Sequence, residues 1–149
     1  MADNSLTIVV SQITDRITDQ MKSRGTRACN ELVRAKNNVL RGKRSGRQYR
    51  KPNTRAKYTA SAPGEPPAVR TGQYRRQWHE KTYATGGGSS LTVHAAIEST
   101  VRTDDGKRNL GNLLEKGSDG GQLKPRPHKD KIIEKAKPKI TSIFKEPYT

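Results

Sequence analysis

Between Asn4 and Leu40, apolar side chains fall at Leu6, Val9, Val10, Ile13, Ile17 and Met21, then at Ala28, Leu32, Ala35 and Val39. Steps of three and four residues return to one side of a helix, so the pattern predicts a long amphipathic helix. Asp3, Asn4 and Ser5 offer N-cap oxygens, and Gly42 is placed to stop the helix just past Leu40. At ~1.5 Å per residue it would reach roughly 50 Å, about twice what a compact domain of this size can cover. Gly25 and its polar neighbours interrupt the stripe, so a kink or two shorter helices stands as the alternative to one nearly continuous helix.

Past Gly42 the helical period disappears. Residues 41–58, RGKRSGRQYRKPNTRAKY, read as an arm or long loop, and the following SAPGEPPA is neither helix nor strand. Pro63, Pro66 and Pro67 remove donors there and hold their neighbours extended. Thr71 then looks like the N-cap of a short helix through Trp78, with Tyr74 and Trp78 on one side. His79 to Ala84 leads into the loop TGGGSS. A strand follows from Leu91 to Val101, in which Leu91, Val93, Ala95, Ile97 and Ser99 alternate with Thr92, His94, Ala96 and Glu98. That pair of segments predicts a hairpin.

Asp104, Asp105 and Gly106 make a turn, Asn109 to Lys116 a short helix closed by Gly117, and Ser118 to Lys124 a loop. The last element is a second amphipathic helix, opened by Pro125, Arg126 and Pro127, with Ile132, Ile133, Ala136, Ile140, Ile143 and Phe144 on one face. Pro127 suits its first turn, whereas Pro138 lies inside and should kink or split it at ~3 kcal/mol. The expectation is an α+β chain forming a single domain: a helix over 1–40, a basic and proline-rich arm over 41–70, and a small antiparallel core with a C-terminal helix over 71–149.

Composition sharpens this picture. Leu, Ile, Val and Phe make up 24 of the 149 residues, and the formal charge is +16. Such values fall in the range associated with disorder, so a large monomeric core is not expected. Val69 is the only one of these residues between Arg41 and Ser90, and that stretch therefore needs a partner or stays mobile. Residues 41–81 hold twelve basic groups against two acidic ones, so most of the excess charge sits in about a quarter of the chain. A concentration like that suits nucleic acid or another polyanion. The arm's cations are Arg41, Lys43, Arg44, Arg47, Arg50, Lys51, Arg55 and Lys57, interleaved with Tyr49 and Tyr58. They fit diffuse contact with duplex phosphates better than base stacking or base readout.

Catalytic chemistry has little to stand on. His79, His94 and His128 lack metal-ligand spacing, and Cys29 has no second cysteine to join it. His94 alternates with an apolar strand face and reads as exposed. GGGSS lacks the lysine of a phosphate-binding loop, and Glu65, Glu80, Glu98 and Glu115 show no pairing for acid–base work. The expectation is no enzyme, no cofactor and no metal. With no leader-like N-terminus and no membrane-length apolar run, the chain is expected to be soluble and used without export.

Three short motifs occur in order: SAPGEPPAVRTGQYRR at 61–76, LLEKGS at 113–118 and KPRPHKDKI at 124–132. This order resembles the tail-completion, or head–tail joining, family of long-tailed bacteriophages over residues 61–144. Thr71 and Gly72 match the Thr-Gly that precedes basic residues, Glu115 and Gly117 match the Glu-aromatic-Gly-Thr turn, and Arg126 and Pro127 match the Arg-Pro-Phe that opens the last helix. Pro63, Gly64, Pro66, Pro67, Arg70 and Arg75 fill out the first motif. Lys116 stands where an aromatic is usual, Ser118 where threonine is usual, and His128 where phenylalanine is usual.

The resemblance implies a structural part of the virion neck, assembled in the bacterial cytoplasm as a ring between the portal side of the head and the tail terminator or tail tube. Sixfold symmetry is the first expectation and twelvefold the second. Double-stranded DNA would pass through the ring with nonspecific contacts from the arm, unless the arm meets acidic patches on a neighbouring neck or tail protein. A sequence-nonspecific basic nucleic-acid-binding protein is the competing expectation.

Overall fold

A computed structural model describes residues 2–86 and 90–149, with side chains of the first helix described from Gln12 onward. That helix, α1, is one uninterrupted element of 40 residues, Ala2–Arg41, about 60 Å long. Asp3, Asn4 and Ser5 lie inside it and not before it. Gly25 does not break it either. A Cβ at Gly25 would sit 2.5 Å from Val93 Cγ1, so the gap in the apolar stripe marks where a strand side chain presses on the helix backbone. Burial against that strand offsets the ~1 kcal/mol that glycine costs inside a helix.

The basic segment expected as an arm or loop is a two-stranded antiparallel hairpin, β1 (Gln48–Arg50) and β2 (Lys57–Thr59), with Tyr49 opposite Tyr58 and Arg50 opposite Lys57. Lys51 N–H donates to Ala56 O across the turn, where Asn53 takes φ 58°, a left-handed value that asparagine tolerates better than most residues. At the open end, Gly46 N–H donates to Ala60 O, and a Cβ on Gly46 would lie 2.5 Å from that oxygen. The proline-rich stretch is extended and turn-like, as its residues predict.

The short helix α2 is a single turn, Gln73–Arg76, and its N-cap is Gly72 in the left-handed region at φ 83°, so Thr71 is one residue too early. Thr71 Oγ1 instead accepts from Gln73 N–H. Trp78 has left the helix for β3 (Trp78–Glu80), yet its ring still meets Tyr74 edge-on at 5.6 Å. The expected hairpin is present in two pieces: β3 pairs with β6 (Ile97–Ser99), and β4 (Tyr83–Thr85) pairs with β5 (Thr92–His94), both antiparallel. The single strand expected over 91–101 is thus broken at Ala95 and Ala96, but register is kept across the break, and Lys81 N–H donates to Ala96 O within it. Of the expected loop TGGGSS, residues 87–89 lie outside the described residues.

Helix α3, Leu110–Lys116, has the expected termini. Asn109 accepts from Asn112 N–H at one end, and Gly117 at φ 78° closes the other. Helix α4, Lys129–Lys145, begins after His128, so Pro127 precedes its first turn. It runs through Pro138 without being split. Glu134 and Pro138 both lie on the exposed face, where the carbonyl that proline leaves unpaired is open to water.

α1 and α4 pack antiparallel, with Arg27 beside Glu146 at one end and Leu32 and Ala35 against Ile132 and Ala136 toward the other. Around those four buried side chains sit Val39, Trp78, Ala95, Ile97 and Ile140. This is a small core. The apolar face expected on α4 is only partly used, because Ile132, Ala136 and Ile143 are buried while Ile133 and Phe144 remain exposed.

Candidate nucleic-acid interface

Two cations of the basic segment are committed to the fold. Arg44 donates to Val39 O at 2.8 Å and to Pro67 O at 3.1 and 3.3 Å, so one guanidinium covers a carbonyl left free at the end of α1 and ties it to the proline-rich loop. Burial pulls its pKa down, against the pull of Glu65. Lys51 is half-buried at the hairpin turn. The Glu65 carboxylate accepts from Ser45 Oγ, Ser45 N–H and Ala62 N–H, and those bonds lower its pKa to about 2. Glu65 therefore clasps the base of the hairpin.

The other six cations, Arg41, Lys43, Arg47, Arg50, Arg55 and Lys57, are exposed. None of the seven apart from Arg44 has a carboxylate partner among the described residues. Arg50 and Lys57 stand directly opposite each other across the ladder, a like-charge pair that is destabilising until an anion lies between or above them. Tyr49 and Tyr58 occupy the other side of the strands, with ring centroids 6.1 Å apart, and pack on each other. The hairpin thus presents one face suited to phosphate and one carrying its two paired tyrosines, of which Tyr49 stays exposed.

The motif positions converge elsewhere, at the start of α4. Glu115 Oε2 accepts from His128 N–H at 3.0 Å and Lys129 N–H at 3.2 Å, so a carboxylate on α3 caps the N-terminus of α4. Arg126 Nε donates to Ser61 Oγ at 2.8 Å, and Gly64 N–H donates to Pro125 O at 3.1 Å, which ties the proline-rich loop to the same corner. Gly117 is required there: it has a positive φ, and a Cβ would lie 2.5 Å from Leu123 O.

His128 is fully buried in this corner. Its Nδ1 faces Arg126 O at 2.8 Å and Glu115 Oε2 at 2.9 Å, and its Nε2 lies 2.6 Å from Tyr74 Oη. Burial lowers its pKa and outweighs the nearby carboxylate, so the imidazole is neutral. Nδ1–H then donates toward the two oxygens and Nε2 accepts from the Tyr74 hydroxyl, whose own pKa is raised, first by burial and then by Glu115. The ring also meets Tyr74 and Trp78 edge-on, at 5.6 and 6.4 Å between centroids, beside its three polar contacts.

No family model, curated protein or solved structure matches the chain.

The geometry separates the residues singled out from the sequence. Gly72 and Pro67 are buried, Pro66, Arg75 and Pro127 half-buried, and Pro63, Arg70 and Thr71 exposed. Pro63, Arg70 and Thr71 do not join the buried corner. Sequence reasoning missed three buried polar groups. Lys36 Nζ donates to Arg75 O at 2.7 Å, and Arg24 donates to Phe144 O and Pro147 O while lying 4.0 Å over the Tyr148 ring. His128 is the third, and a buried histidine beside Glu115 leaves no local signal. His94, expected to be exposed, is half-buried and stacks on Tyr83 at 4.5 Å. Among the described residues, no group of three or more His, Cys, Asp or Glu is placed to hold a metal ion, and no helix is long and apolar enough to cross a membrane.

Proposed function

We propose that this chain is a structural, non-catalytic subunit of the neck of a long-tailed bacteriophage. Copies form a ring that joins the DNA-filled head to the tail, and the basic hairpin is turned toward the DNA channel. The observation that carries this reading is the hairpin between Gly46 and Ala60: a two-stranded antiparallel element whose exposed cations have no acidic partner among the described residues. With six exposed cations each over residues 41–57, six copies would bring ~36 positive charges to a channel wall, enough to hold a duplex through phosphates without reading sequence.

The small core and the exposed apolar side chains of α1 and α4 add to this reading, since both call for neighbours. The order of the three motifs supports the assignment to the neck. Deleting the protein from the particle is expected to leave full heads and finished tails that do not join. A micrograph placing it away from the head–tail junction would overturn the proposal. The second reading, a monomeric or dimeric nonspecific nucleic-acid-binding protein, draws on the same hairpin; it predicts DNA binding by a particle whose mass does not grow with concentration.

A further inference from the structure

We infer that the first half of α1 of one copy docks in the apolar groove between α4 and the β3–β6 hairpin of the next. The inference rests on the ring reading above and names the surfaces that would build the ring.

The groove has a volume of about 640 Å³ and is lined by Trp78, Val93, Ala95, Ile97, Ile133 and Phe144, with Leu32 of α1 among its walls. Ile133 is 55% exposed and Phe144 36%, so two large apolar side chains at its edge face water. The same subunit carries a second uncovered apolar feature. Ile13 is 50% exposed and Ile17 38%, and the sequence continues their stripe through Val10, Val9 and Leu6. Nothing in the subunit can bring the two together, because α1 is continuous and places Ile13 about 28 Å along its axis from Leu32. The occupant must therefore come from another chain.

Charge selects which chain. Residues 1–20 hold Asp3, Asp15 and Asp19 against Arg16 alone, an acidic segment in a protein of net +16. α4, which forms one wall of the groove, carries six lysines against Asp130 and Glu134. Lys129 and Lys137 lie on the same side of α4 as Ile133, Ile140 and Phe144, at spacings of three and four residues. Of the charged residues lining the groove, Glu98 is already paired with Lys81, which leaves Lys129 and the lysine-rich α4 wall to complement an acidic helix with an isoleucine stripe, and a second copy supplies such a helix at matched stoichiometry.

Helix and groove are different places on one subunit, so each copy gives one and receives one. That contact is head-to-tail, and it closes into a ring when the rotation per step permits. A symmetric pairing of two α1 helices would use the same isoleucines but leave the groove empty.

The test uses full-length Ile13→Asp and Ile133→Asp, at positions exposed enough for the fold to tolerate both, with mass followed by analytical ultracentrifugation. Each variant alone is expected to need at least tenfold higher concentration than the wild type to associate. Mixed, the two should form a heterodimer and stop there, because one keeps a groove and the other a helix. Wild-type-like assembly by Ile133→Asp would overturn the docking while leaving the ring intact. A wild type that stays monomeric at every concentration would overturn both.

Discussion

The basic hairpin and the buried corner around His128 treat polar groups in opposite ways. In the corner, each ring nitrogen of His128, the carboxylate of Glu115 and the guanidinium of Arg126 has a partner within 3.2 Å. On the hairpin, Arg50 and Lys57 face each other, and no carboxylate among the described residues answers them. Satisfied polar groups lock the proline-rich loop, α3 and α4 into one unit. Unsatisfied cations a few residues away leave a surface whose electrostatic needs are met only from outside. Composition sees eight cations in the segment; geometry divides them by whether the protein itself supplies their partner.

The largest expected break in that contrast is on DNA binding. Replacing Arg47, Arg50, Arg55 and Lys57 together by glutamine should weaken nonspecific duplex binding by about a thousandfold at moderate salt. The dependence of log Kd on log salt should flatten by up to about 0.9 for each phosphate no longer neutralised. Binding isotherms at several salt concentrations check this, and an unchanged slope would assign the hairpin to a protein partner.

A smaller effect separates Arg44 from its neighbour Arg47. Arg44→Ala leaves the Val39 and Pro67 carbonyls without their donor and should cost about 2 kcal/mol of stability, whereas Arg47→Ala should stay within about 0.5 kcal/mol. Denaturant unfolding of the two variants reads the difference.

The smallest effect concerns pH. The folded protein holds His128 below its ordinary pKa of 6.5, so as pH falls past that value the unfolded chain takes up a proton that the fold refuses. Stability must then decline on acidification, at up to about 1.4 kcal/mol per pH unit until the folded pKa is reached. Melting temperatures measured from pH 7 to pH 5 should fall for the wild type and change less for His128→Phe.

Much of the fold was legible in the sequence, and the reasons are particular. The three- and four-residue steps from Leu6 to Val39 suffice for α1, and Asn109 and Gly117 mark both ends of α3 because capping is local chemistry. Alternation from Leu91 onward reveals the long hairpin, but the paired alanines that interrupt it carry no contrast between faces. The basic hairpin is hidden for a related reason: Gln48, Tyr49 and Arg50 are all exposed, so there is no apolar period of two to see.

Pro138 misleads because its cost depends on which side of the helix it occupies. The candidate site divides in the same way. The eight cations stand out as a group from their spacing alone, while the structural duty of Arg44 depends on carbonyls at residues 39 and 67. The capping of α4 by Glu115, thirteen residues before His128, is an interaction that no short window along the chain contains.

Gly25 has a consequence well away from itself. Only a hydrogen atom stands between the axis of α1 and Val93, and Val93 belongs to the strand that walls the apolar groove. The width of that opening is therefore gauged by a residue that does not line it. Even a single added methyl would act as a shim, levering the strand away from the helix and changing the shape of a recess it never enters.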